Sequence, residues 1–169
     1  ASSTARSSIC SASIFPEAKR ILGTSCGPPR LAWLAGFRFT FGVPAAVTSG
    51  VRVEVEALYL PDQSDVVEDR YVFAYRIVIT NQSRQTVQLM RRHWLIHDGN
   101  GQVREVEGEG VVGQQPVLDP GGKHEYTSGA VLESPSGTMQ GTYEMHREDG
   151  SAFKVKIPEF QLRMPRTLH

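Results

Sequence analysis

The chain has 169 residues, 40% of them hydrophobic, with 18 basic and 18 acidic side chains and two cysteines. That length supports one domain with a sizeable core. The zero formal charge hides an asymmetry: residues 1–47 carry five basic residues against one acidic, and residues 48–169 carry 13 against 17. An acidic body is a poor platform for nucleic acid, whose phosphates are held by Lys and Arg, so no nucleic-acid partner is expected. No apolar run reaches the ~20 residues of a membrane span, so no membrane partner is expected either. Both cysteines, Cys10 and Cys26, fall in the first segment. The body therefore needs no disulfide, which suits a reducing compartment and points to the cytoplasm.

Residues 1–47 are rich in Ser, Ala, Arg, Gly and Pro. FPEAKRIL (15–22) has the makings of two helical turns, and CGPPR stops them. LAWLAGFRFTFGV (31–43) is apolar but short and broken by Arg38. An Arg- and Ser-rich, acid-poor leader is what organellar transit peptides look like, which makes an organelle the alternative location. The plainer expectation is a disordered extension with no part in the fold, or a start placed too far upstream. The folded domain is expected over 48–169.

From Thr48 the pattern changes to period two. In VRVEVEA, Val51, Val53, Val55 and Ala57 share one face, with charged residues on the other. YVFAYRIVIT (71–80) is apolar on both faces, as a central strand is. NQSRQ turns, and VQLMRRHWLIH (87–97) is a third strand. DGNG (98–101) is a hairpin signal, because Gly and Asn tolerate positive φ, and QVREVE returns. LDPGGK is a turn before a short strand at HEYTSG, and SPSG (134–137) turns again. TMQGTYEMH places Met139, Gly141, Tyr143 and Met145 on one face. EDG closes a hairpin to AFKVKI, Pro158 ends that run, and EFQLRM adds an edge segment. About seven strands separated by turns, with no clear helix, predict an all-β fold. An antiparallel β-sandwich covers the apolar stripe that each strand leaves open.

GEGVVG (108–113) spells the G-x-G-x-x-G of dinucleotide sites. That site needs a helix after the last glycine, whose N–H groups and dipole hold the pyrophosphate. Here QQPVLDPGG follows, with Pro116 and Pro120 in the way, and Glu105, Glu107 and Glu109 repel phosphate. Two alternatives remain. The glycines permit a bend while Val111 and Val112 plug the core. Or the loop offers N–H groups to an anion or a peptide, helped by Arg91 and Arg92. The bend is favoured.

His93 and His97 share a strand face but stand too far apart to bind one metal without a further ligand. The acidic run 105–109 would collect a hard cation only weakly. Ser128 and Ser136 sit in turn-like contexts without a nucleophile elbow. No catalytic residues and no cofactor are expected.

RRHWLIHDGNGQVREVEGEGVVGQQPVLDPGGKHEYTSG, followed by SPSGTMQGTYEM and IPEFQL, resembles the ApaG family over about residues 50–169. The signature falls on Arg92, His93 and Trp94, then on Gly108, Gly110, Val111, Val112, Gly113, Gln115 and Pro116. It resumes at Tyr126, Ser128 and Gly129, and ends on Gly137, Met139, Gly141 and Tyr143. Gln114 and His97 depart from the expected pattern. The resemblance implies an immunoglobulin-like or fibronectin type III-like sandwich. It also links the chain, by family name and gene neighbourhood, to diadenosine tetraphosphate hydrolysis and to cobalt and magnesium handling. Related domains in F-box proteins and in a DNA-polymerase-delta-interacting protein look like interaction modules. The expectation is a non-catalytic module that binds a protein partner. Its candidate contact residues are Arg91, Arg92, His93, Gly108, Gly110 and Gly113. The alternatives are a binder of a phosphate-bearing nucleotide and a cation-linked regulator using His93 and His97.

Overall fold

The computed structural model describes residues 43–165. The helix expected at 15–22, both cysteines, the transit-like composition and nearly all of the apolar run at 31–43 lie outside the described residues.

Among the described residues nine strands follow one another: β1 (Ala45–Thr48), β2 (Val51–Tyr59), β3 (Tyr71–Asn81), β4 (Val87–Asp98), β5 (Val103–Glu109), β6 (Val117–Leu118), β7 (Lys123–Leu132), β8 (Ser136–Arg147) and β9 (Ala152–Arg163). Among the described residues the only helical element is a 3-10 turn at Pro61–Gln63. One sheet has the order β1-β2-β3-β7 and the other β5-β4-β8-β9, every pairing antiparallel. The short β6 continues the β5 edge of β4.

The sandwich follows from the alternation. Val51, Val53 and Val55 of β2 and Val155 and Ile157 of β9 are fully buried. β3 is buried on both faces from Tyr71 to Tyr75, as its two-sided apolar sequence requires. Trp94 is the centre of the core. Tyr75, Phe160 and Tyr143 pack on it with ring centroids 5.6, 6.1 and 6.4 Å away. Each such side chain contributes roughly 1.5–3 kcal/mol on burial.

Three expectations about elements need correction. β1 begins at Ala45, before the expected boundary at Thr48, and it and β6 add two short strands to the seven. β7 runs for ten residues, longer than HEYTSG. Pro158 does not end its strand. Met139 pairs with Phe160 and Gly141 with Ile157, so Pro158 and Glu159 oppose Gln140 alone. The proline sits in a bulge, where its missing N–H costs the ladder nothing.

His124 of β7 is half-buried beside Tyr126, and burial lowers its pKa below the ordinary 6.5. The unfolded chain therefore binds its proton first as pH falls, and stability drops from about pH 6.5 downward. His124→Gln is expected to flatten the fall in urea midpoint between pH 7 and pH 5.5, and NMR titration of the His124 ring is expected to show the lowered pKa directly.

Candidate functional site

The candidate residues sit on β4 and the segment that follows it in space. Val87 and Leu89 face the core, so unbroken alternation would carry Arg91 and His93 inward. Met90 prevents this. Leu89 pairs with Met145 and Arg91 with Glu144, which leaves Met90 as an extra residue in a bulge. The bulge resets the phase. Arg92, Trp94, Ile96 and Asp98 point inward, and Arg91, His93, Leu95 and His97 point outward.

The glycine segment docks on that bulge. The Met90 carbonyl accepts the Gly110 N–H at 2.8 Å and Gln115 Nε2 at 3.1 Å, and the Leu89 N–H reaches the Pro116 carbonyl at 3.1 Å. Gly108 lies directly opposite Arg92. The Arg92 guanidinium crosses it so closely that a Cβ there would stand 2.7 Å from Nη2. Arg92 Nη1 then donates to the Glu109 carbonyl at 2.8 Å and to the Gly110 carbonyl at 2.7 Å. The side chain is 8% exposed. Among the described residues no carboxylate lies within ion-pair distance of it.

The rest of the motif is a tight turn. Val111 is fully buried and plugs the core. Its N–H and C=O pair with Gln114 at 2.7 and 3.0 Å around Val112 (φ 50°) and Gly113 (φ 74°). Two central residues with positive φ make a type I′ turn, which needs glycine at one of them. No helix starts here. The carbonyls of the loop face the buried arginine, and the N–H groups of Gly110, Val111 and Gln114 are already engaged.

Below Arg92 lies a set of phenols. Burial pushes the Tyr75 hydroxyl up to about 12, with Ser128 and Arg92 pulling it back. Burial raises Tyr126 and Tyr143 as well, and their hydroxyls bond to each other. All three stay neutral at physiological pH, so among the described residues the guanidinium is held by two carbonyls and no counter-charge, while its Nε and the Tyr75 hydroxyl are buried without a hydrogen-bond partner. Ser128, one of the two serines weighed as a nucleophile, is buried here at 3% exposure.

On the outer face, Arg91, Arg92, His93, Glu105, Glu107, Thr142, Glu144 and Lys154 line a shallow concavity of about 200 Å³. His93 Nε2 bonds to the Glu105 carboxylate and stands 3.9 Å from Glu107 Oε1. The structure thus separates the predicted residues. Arg91 and His93 share the outer concavity, which Arg92 also borders, but the Arg92 guanidinium turns inward to form a clamp with Gly108 and Gly110, with Gly113 at the turn beyond it. His97 pairs with Val103, one alternation past the Leu95–Glu105 pair, and lines none of this concavity. Alternation alone already forbids Arg91 and Arg92 from facing the same way. What was not legible is the register that sets Glu107 opposite His93.

Among the described residues β5 is an edge strand. Asp98 N–H donates to the Gln102 carbonyl at 2.8 Å and Gly110 N–H to Met90, which fixes the phase of the ladder. By alternation Val103, Glu105, Glu107 and Glu109 direct their backbone groups at the free edge, and all four are exposed. Of those groups, Arg92 takes the Glu109 carbonyl.

Fold and site together define a small two-sheet antiparallel sandwich whose glycine bend is pinned at a sheet edge by a buried, uncompensated arginine. A family model for the ApaG domain matches residues 61–147, just over half of the chain. Protein ApaG of Aromatoleum aromaticum is 56% identical over 120 residues, which is 70% of this chain and 94% of that protein. Protein ApaG of Nitrosospira multiformis is 55% identical, with the same coverage. Among solved structures, the putative ApaA protein from Bordetella pertussis is similar with a TM-score of 0.67 at 50% identity, covering 74% of this chain and 98% of that one. The chain belongs to the ApaG family. The name its relatives carry states no reaction. Among the described residues no helix is long and apolar enough to cross a membrane.

Proposed function

We propose that the domain is a non-catalytic binding module that receives a segment of a protein partner as an added strand on β5, beside the glycine turn. The observation that carries this is the β5 edge, which no strand among the described residues pairs. It is seven residues long, its alternate backbone groups face outward, and its far end is held rigid by Arg92. Edge strands take up extended peptides through main-chain hydrogen bonds, with side chains setting specificity. Glu105, Glu107 and Glu109 line this edge, which favours a basic partner segment. Of the two serines weighed as nucleophiles, Ser128 is buried.

A phosphate-bearing ligand is the weaker reading. It asks Arg92 to face outward and the loop amides to be free, and the outer concavity offers it Arg91 and Lys154 among three carboxylates.

Glu107→Pro tests the proposal, because proline removes an edge N–H that the β4 ladder does not use. The melting temperature is expected to hold within a few degrees while partner binding is lost. Hydrogen exchange of the wild-type complex is expected to protect the amides of Val103, Glu105, Glu107 and Glu109. Unchanged exchange at those four amides on partner binding counts against this edge.

A further inference from the structure

We propose that His93, Glu105 and Glu107 form a binding site for a divalent transition-metal ion of the Zn²⁺ type on the outer face of the β4–β5 ladder. This goes beyond the partner-binding reading and does not depend on it. The three ligand atoms, one imidazole nitrogen and two carboxylate oxygens, all lie within 4.8 Å of one another. They are brought there by pairing. Glu107 is directly opposite His93, and Glu105 is opposite Leu95, one alternation along the same face.

The spacing of His93 and Glu107 is close to what an ion needs. Two ligands, each about 2.0–2.1 Å from a tetrahedral ion, stand roughly 3.3–3.4 Å apart. His93 Nε2 and Glu107 Oε1 are 3.9 Å apart, while Nε2 is hydrogen-bonded to the Glu105 carboxylate, a contact that an ion would replace as Glu105 swings back. Both glutamate side chains are 62% exposed, so they can adjust without disturbing the core. His93 is half-buried at the floor and fixed by the ladder.

The donor set also chooses the metal. An imidazole beside carboxylates suits Zn²⁺ and its first-row neighbours, whereas Mg²⁺ prefers oxygen ligands alone. With His93 neutral, as a ligand must be, the two carboxylates cancel the ion's charge. Arg91 and Lys154 at the rim oppose cation binding, while Glu144 supports it. Three protein ligands leave the remaining coordination to water or a small anion.

The test is calorimetric titration of the full chain with Zn²⁺ in a non-chelating buffer. Cys10 and Cys26 are replaced by serine, because thiolates would bind the metal on their own account. One saturating site is expected. Loss of an outer-shell partner alone typically weakens a metal site about 10–100-fold, so His93→Asn and Glu107→Gln are each expected to weaken this one at least about tenfold. His97→Asn, on the same strand face but outside the trio, is expected to leave affinity unchanged. Mg²⁺ at the same concentration is expected to give no saturable heat. Mn²⁺ broadening of backbone NMR signals in the serine-substituted chain maps the site without further substitution, and it is expected to centre on residues 93, 105 and 107. The proposal is overturned by an absence of saturable Zn²⁺ binding, by full affinity in both ligand variants, by equal loss in His97→Asn, by Mg²⁺ binding as tightly as Zn²⁺, or by broadening centred elsewhere. Glu107→Gln keeps the edge N–H that Glu107→Pro removes, so failure here is distinguishable from failure of the partner-strand reading.

Discussion

Gly110→Ala is expected to destabilise the domain by about 3 kcal/mol or more, a fall in melting temperature of roughly 10 °C. Gly110 has φ +57°, a conformation that costs an alanine roughly 1–2 kcal/mol. Its added Cβ would stand 2.1 Å from the Gln114 carbonyl oxygen and 2.8 Å from the carbonyl carbon, both backbone atoms of the turn. Neither can retreat without breaking the Val111–Gln114 pair or pulling Val111 out of the core. Gly121 supplies the control. Its φ is +80°, yet a Cβ there meets nothing within 4 Å. Gly121→Ala is expected to cost only the conformational part, about 1–2 kcal/mol. Thermal melting of the two variants side by side separates strain from clash. Equal losses would show that the clash at Gly110 is relieved.

Arg92→Met is expected to cost about 2–4 kcal/mol. A hydrogen bond to a charged group contributes roughly 1.5–3 kcal/mol, and Arg92 donates two, to carbonyls that have the loop's geometry to maintain. Part of the loss is offset, because methionine spares the burial of an unpaired cation. Arg92→Lys is expected to recover little, since an ammonium cannot lie flat over Gly108 and reach both carbonyls. Denaturant unfolding measures both. The direction matters for function. A ligand-anchoring arginine would leave stability untouched when removed, and this one is expected to lower it. Any loss of binding in an Arg92 or Gly110 variant must therefore be read against its stability. The exposed Glu105 and Glu107, with the half-buried His93, are the proper sites for testing function.

The strands were legible because alternation is local. Val51, Val53 and Val55 declare an inward face without reference to the rest of the chain, and so do Val155 and Ile157. The glycine motif was legible as a bend for the same reason: Pro116 and Pro120 forbid the helix that a pyrophosphate site requires. Pro158 misled, because a proline ends a strand unless a bulge accepts it, and the bulge depends on β8.

Alternation, turn chemistry and the absence of a helix-starting glycine loop were properties of the sequence by itself. They decided the sandwich and argued against a helix-capped dinucleotide site at the glycine motif. Which way Arg92 faces, and which carboxylates meet His93, were decided only in three dimensions. An extra residue at Met90 reverses the phase of β4, and cross-strand register brings positions more than ten residues apart into contact. Register is set by the packing of whole sheets, so no window of sequence around His93 contains it.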